Sequence, residues 1–200
     1  MTRVSPSGRV RDLLERRTAP LSDLAAHATD VARTCHAMAV RFHRGGKLVV
    51  FGNGGPSTDA QHVAVEFVHP VIVGKRALPA ISLTADVATL TGVANRVGMA
   101  ETFAHQIRFL AEPADIAMGL STDGDCANVL RGLEEAQELG MLCVALVGGD
   151  GGQIVESGVA DHVLVAASTD PRVVKEVHVT MYHILWELVH VFFESPGVIT

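Results

Sequence analysis

VVFGNGGPSTDAQHVAVEF, residues 49–67, changes character twice. An apolar run ends at Phe51. Gly52, Asn53, Gly54 and Gly55 follow, and a segment with His62 and Glu66 four positions apart comes next. An apolar run bounded by glycine is the pattern of a strand buried on both faces, and residues at i and i+4 share one face of a helix. The stretch therefore predicts strand, tight turn and helix, with Ser57 or Thr58 as the helix N-cap. A glycine turn opening a helix leaves backbone N–H groups free at the positive end of the helix dipole, which suits a phosphate or another anion. A tight connection that needs glycine for its backbone angles explains the same residues without a ligand. The turn is neither a Walker loop nor a GxGxxG fingerprint.

The pattern repeats outward from this point. Residues 47–52, 78–84, 114–121, 141–149 and 161–167 read as strands. Helical periodicity covers residues 10–43 with a break near Pro20, 57–67, 86–110 with an interruption near Gly98, 125–139 up to Gly140, and 171–193 up to Pro196-Gly197. Alternating strands and helices imply βαβ units, a parallel sheet and helices on both faces. The linkers are short, so residues 10–195 are expected to form one domain, with residues 1–9 frayed. A chain that is 48% hydrophobic but only 4% aromatic must build its core from Val, Leu, Ile and Ala, as buried parallel sheets do. The net charge of −6 and the lack of a Lys/Arg run argue against a nucleic-acid surface. Cys35, Cys126 and Cys143 have no metal-type spacing, and their odd number fits a reducing compartment better than a disulfide framework. No apolar run suggests a signal peptide or a bilayer span. The expected location is the cytoplasm, with no membrane partner.

Ligands of such sheets bind at the carboxyl ends of the strands. Three loops fall there: residues 52–57, 121–126 and 148–152. In the second, Ser121 and Thr122 offer hydroxyls, while Asp123 and Asp125 suit sugar hydroxyls or a metal better than a phosphate. Asp125 is equally well explained as a helix cap. The GGDGG loop is a weaker signal of a binding site, which a flexible surface turn explains equally well. His62 and Glu66 can share a metal or act as acid and base, or form an ordinary helix-surface pair. The final helix adds Glu176, His178, His183, Glu187 and His190 in very apolar surroundings, which places it in the core or at a subunit interface.

Together these segments resemble the sugar isomerase (SIS) domain, specifically the phosphoheptose isomerase group. The matching residues are GNGG at 52–55, DAQHVAVEF at 59–67, ISLTADVATLTGVAN at 81–95, ST-x-G at 121–124 with NVLRGLEEAQELG after it, and KEVHVTMYHILWELVH at 175–190. The resemblance spans residues 20–195. It implies a flavodoxin-like three-layer α/β sandwich, with five parallel strands in order 2-1-3-4-5 and long terminal helices packed between subunits of a homotetramer or dimer. It implies conversion of sedoheptulose 7-phosphate to a heptose 7-phosphate, with a sugar phosphate as the small-molecule partner. Glu66 and His183 would be catalytic, approaching one cleft from different subunits. His62, Glu66 and His183 would be the metal ligands, with zinc as the metal.

Substrate contacts are expected from Gly52, Asn53, Gly54, Gly55, Ser57 and Asp59 at the first loop, and from Ser121, Thr122, Asp123 and Cys126 at the second. Several positions depart from the group. Pro56 stands for a serine, Asp123 and Cys126 replace two phosphate-binding serines, Arg96 replaces an acid, and Arg172 replaces a polar or acidic residue. Lys175 stands where the group has a metal-ligating Gln. A lysine ammonium beside His62 and Glu66 would oppose a divalent cation, so the expected cofactor is either none or zinc. Arg96, Arg172 or Lys175 could supply a new anion contact. The alternative reading is a non-catalytic SIS protein that binds a carbohydrate derivative or serves as a scaffold, like those that associate with the replication initiator.

Overall fold

The computed structural model describes residues 6–195 and residue 197. Two helices, α1 (Pro6–Ala26) and α2 (Ala28–His43), precede β1 (Leu48–Gly52). Then come α3 (Gly55–Val68), β2 (Ala80–Ser82), α4 (Val87–Arg96), a 3₁₀ turn (Met99–Glu101) and α5 (Thr102–Leu110). The chain continues through β3 (Ile116–Ser121), α6 (Ala127–Leu139), β4 (Leu142–Gly148), α7 (Gly152–Ser157), β5 (His162–Ala166) and α8 (Pro171–Glu194).

All five strands are parallel, in the order β2-β1-β3-β4-β5, as the SIS resemblance implies. Every residue of β1, β3 and β4 is buried, which is why these segments read as unbroken apolar runs. The pleat divides them between two cores. Leu48, Val50, Ile116, Met118, Leu120, Val144 and Leu146 face the layer that contains α2, α3 and α8. Val49, Phe51, Ala117, Cys143, Ala145 and Val147 face Phe103 and Ile107 of α5, Val129 and Leu133 of α6, and Ile154 of α7.

Several local expectations are corrected. The first helical region breaks at His27, not at Pro20, which lies inside α1 and is buried. Helix α1 takes in residues 6–9 of the segment expected to fray, while residues 1–5 lie outside the described residues. The expected stop of α8 at Pro196-Gly197 involves Pro196, which is also outside them; the helix ends at Glu194. Helix α3 starts at Gly55, with Gly54 rather than Ser57 or Thr58 at the N-cap. Gly54 has φ 61° and ψ −119°, a conformation open to glycine and costly for other residues, which is why the turn needs it. GGDGG does not remain a loop throughout: its last glycine begins α7. Helix α6 stops at Gly140, as read, because this residue caps it in the left-handed conformation at φ 85°. Among the described residues, no helix is long and apolar enough to cross a membrane.

Candidate active site

Helix α8 lies against α3, and the two present polar side chains with the same spacing. Asp59, His62 and Glu66 stand at i, i+3 and i+7 on α3; Lys175, His178 and Tyr182 do so on α8. At one end, the Lys175 ammonium donates to Asp59 Oδ1 at 2.6 Å and to Gly55 O and Thr58 Oγ1, each at 3.3 Å. At the other end, Trp186 Nε1 donates to the Glu66 backbone oxygen at 2.9 Å. Between them, the Tyr182 hydroxyl lies 2.9 Å from His62 Nδ1, and His62 Nε2 lies 3.2 Å from Glu66 Oε1.

His183 completes this group. One potential ligand atom from each of His62, Glu66 and His183 lies within 4.8 Å of the others. All three come from one chain, so Glu66 and His183 already lie near each other within a single subunit. The Glu66 side chain is only 14% exposed, so its carboxylate is poorly hydrated, while His183 opens to solvent. Two imidazoles and a carboxylate form the donor set of a three-ligand site with an open position. The 3.2 Å separation of His62 Nε2 and Glu66 Oε1 is near the ~3.4 Å edge of a tetrahedron of ligands about 2.1 Å from zinc. The residues present therefore fit such a metal. Lys175 is not beside this group as expected: its ammonium is bound at the first turn of α3, where Asp59 offsets its charge.

Two buried polar atoms in the seam, Asp59 Oδ2 and His178 Nε2, have no hydrogen-bond partner among the described residues. Burial holds His178 below the usual histidine range, opposed by a hydrogen bond to the backbone of Val147 and by the charge of Asp59. Burial pushes the Tyr182 phenol up, and the charges of Asp59 and Glu66 add to this. Tyr182 is a member of this group that the sequence reading does not single out. Its signal was the shared i, i+3, i+7 spacing of the two helices.

The residues expected at the strand ends fall into two cavities rather than one. Gly52, Asn53, Gly54 and Ser57 line a cavity of about 260 Å³ together with Thr84 and Thr91. The Asn53 amide is held by Asn128 through reciprocal hydrogen bonds of 2.6 and 3.0 Å. Thr122 and Asp123 line a wider cavity of about 920 Å³, with Asp125, Asp150, Ser168 and Thr169. Ser121 is fully buried and committed to its own loop, accepting from Gly124 N at 2.9 Å and donating to Asp123 Oδ1 at 3.2 Å. Asp123 Oδ1 also accepts from Asp125 N at 3.0 Å. Cys126 is half-buried and packs against the core under α6. Of the cations expected to help bind an anion, Arg172 is engaged by Asp170, and Arg96 lines a separate cavity with His105. Only Lys175 stands at the glycine turn.

Comparison with known proteins agrees with this architecture. The family described as SIS domain matches residues 14–148. The chain is similar to the phosphoheptose isomerase of Thermodesulfovibrio yellowstonii, with 37% identity over 168 residues that cover 84% of this chain and 83% of that protein. Among solved structures, a phosphoheptose isomerase from Francisella tularensis superposes with a TM-score of 0.86 at 30% identity, covering 93% of this chain and 98% of the other. The phosphoheptose isomerase from Neisseria gonorrhoeae gives 0.84 at 26% identity, with 92% and 98% coverage.

Proposed function

The chain belongs to the SIS domain family, in its phosphoheptose isomerase group, and from that premise we propose that it interconverts the ketose and aldose forms of a sugar phosphate. The observation that carries this reading is the convergence of His62, Glu66 and His183 beside the α3–α8 seam.

Aldose–ketose exchange moves one proton between neighbouring carbons and another between their oxygens. The Glu66 carboxylate takes the proton from C1 of the ketose and returns it to C2. The His183 imidazole, open to solvent, donates a proton to the C2 oxygen and accepts one from the C1 hydroxyl. The electron pair left at C1 forms the enediol double bond as the C2 carbonyl becomes a hydroxyl, and the reverse shift forms the C1 carbonyl. His62 holds Glu66 through Nε2 and keeps the carboxylate oriented. The same three residues, His62, Glu66 and His183, would hold a divalent cation such as zinc, which would supply polarisation of the substrate oxygens in place of proton transfer by His183.

The sugar hydroxyls would lie against Ser57, Thr84 and Thr91 in the cavity at the end of β1. The uncapped start of α3, with the Lys175 ammonium beside Gly55, favours an anion more than the acidic loop after β3 does. The same proposal covers residues 10–195 as one SIS domain in a cytoplasmic homo-oligomer, a tetramer by analogy with the group. Exposed Val10, Leu13, Leu14 and Leu21 on α1 support the association, which sedimentation velocity measures.

The test of the reaction is incubation of the purified protein with sedoheptulose 7-phosphate in D₂O, followed by NMR. Appearance of an aldose phosphate, with deuterium at the carbon that exchanges its proton, is the expected result. Absence of both, with and without added zinc, overturns the reading.

A further inference from the structure

Each nitrogen of His62 has one polar partner. Nε2 faces Glu66 Oε1 at 3.2 Å, and Nδ1 faces the Tyr182 hydroxyl at 2.9 Å. Tyr182 is 1% exposed, and its ring meets those of His62 and His183 edge-on, with centroids 5.4 and 4.9 Å away. The phenol oxygen therefore cannot turn to water, and His62 is its hydrogen-bond partner in the seam.

We propose that Tyr182 is a positioning residue that lets His62 pass between its two neutral tautomers while keeping the hydrogen bond at Nδ1. The inference rests on the reading of His62 as part of the reacting group. An ionised Glu66 can only accept, so a hydrogen bond from Nε2 to it requires the proton on Nε2. Nδ1 then has a lone pair, and the Tyr182 hydroxyl donates to it. When the Nε2 lone pair is needed for a cation, the proton belongs on Nδ1, which donates to the phenol oxygen instead. In the switch one proton leaves Nε2 for solvent, to which the 42% exposed His62 side chain opens, and one is taken up at Nδ1; the Tyr182 O–H bond rotates to match, because a hydroxyl both donates and accepts. A backbone carbonyl in its place would serve only the Nδ1–H form, and an N–H donor only the other. The ring stays neutral in both forms, so the device works through hydrogen-bond direction and needs no change of charge. Partners of this kind fix the orientation of metal-binding imidazoles, and their loss typically lowers metal affinity 10–100-fold.

The deciding experiment is long-range ¹H–¹⁵N NMR of the His62 ring, without metal and after addition of zinc, combined with zinc titration of wild type and Tyr182→Phe. The expected result is an Nε2–H ring in metal-free wild type and an Nδ1–H ring after zinc. Tyr182→Phe, which keeps the aromatic packing, should bind zinc about 10–100-fold more weakly and lower kcat with KM unchanged. A wild-type ring whose shifts zinc leaves unchanged overturns the proposal, as does a folded Tyr182→Phe protein with wild-type zinc affinity. Should that variant fail to fold, the wild-type spectra decide alone. A zinc-dependent tautomer change in a protein that turns over no sugar phosphate would support this inference while refuting the isomerase reading, so the two can fail separately.

Discussion

Where α3 meets α8, polar side chains of two helices face one another and some groups are left over. At the ends of β3, β4 and β5, carboxylates bind the backbone of their own or a neighbouring loop. Asp123 accepts from Asp125 N, Asp125 from Gln153 N, Asp150 from Gly152 N, and Asp170 from Arg172 N. Each fills a donor at or near the start of a helix, where an anion would otherwise be welcome. The seam has the opposite character: Asp59 Oδ2 and His178 Nε2 are buried and unpaired among the described residues, and three potential ligands converge beside them. Two regions of similar polarity thus differ in what remains unsatisfied. Loops whose donors are filled by neighbouring acids are stabilised connections, whereas the seam keeps buried polar atoms without partners among the described residues.

The largest expected effect breaks the seam. Glu66→Gln removes the carboxylate proposed to move the proton, and turnover should fall by roughly 10²–10⁴-fold with the fold intact by circular dichroism. Turnover close to wild type would place the base elsewhere.

A smaller effect is expected from Lys175→Met. It leaves the Asp59 carboxylate, whose side chain is 5% exposed, without its cation. Because Lys175 is itself 43% exposed, water reaches part of the vacated space, so the loss should be about 1–3 kcal/mol by urea denaturation rather than that of a fully buried pair. A loss under about 0.5 kcal/mol would mean that the pair behaves like an ordinary surface pair.

Asp123→Ser tests the loop side. It removes a negative charge and releases two donors, Ser121 Oγ and Asp125 N–H. Inorganic phosphate should bind the variant about tenfold more tightly, equivalent to about 1.4 kcal/mol, in a ³¹P NMR titration. Equal affinity for the two proteins would show that the loop carboxylate is not what excludes an anion.

The smallest effect is a slope. Burial lowers the pKa of His178 in the folded protein, so the unfolded chain takes up its proton first as the solution is acidified. The contribution of neutral His178 is complete above the unfolded pKa of about 6.5 and is lost as pH falls below it toward the lowered folded value. Between about pH 7 and 5, wild type should therefore lose more stability than His178→Gln in parallel denaturation series. Parallel curves would mean that His178 takes up its proton equally readily in the folded and the unfolded chain.

The strands were legible because β1, β3 and β4 are buried on both faces, which leaves an unbroken apolar run in the sequence. The glycine turn was legible for its conformation, and His62 and Glu66 for their spacing. The caps were not. Ser57 and Thr58 are the expected N-cap types, but the chain leaves β1 so sharply that Gly54 must take that position. Short β2, whose three residues are half-buried at the sheet edge, was read too long for the same lack of contrast between buried and exposed residues. The direction of Lys175 was also hidden. Its sequence position suggests the metal group, whereas Asp59, 116 positions away, captures its ammonium. Charge pairing across two helices leaves no local trace in either one.

Tyr182 and His62 are 120 positions apart, as are Trp186 and Glu66. The proposed reacting group therefore exists only after α8 docks on α3, closing most of the chain into a loop. The entropy of that closure is lost before the contacts can repay it, and such long-range closures slow folding. Far-ultraviolet signal reports helices and strands wherever they form, but turnover requires the docked helix. In a refolding experiment, regained activity is thus a clock for the arrival of α8, set behind the spectroscopic signal by the time that one helix takes to find its seat.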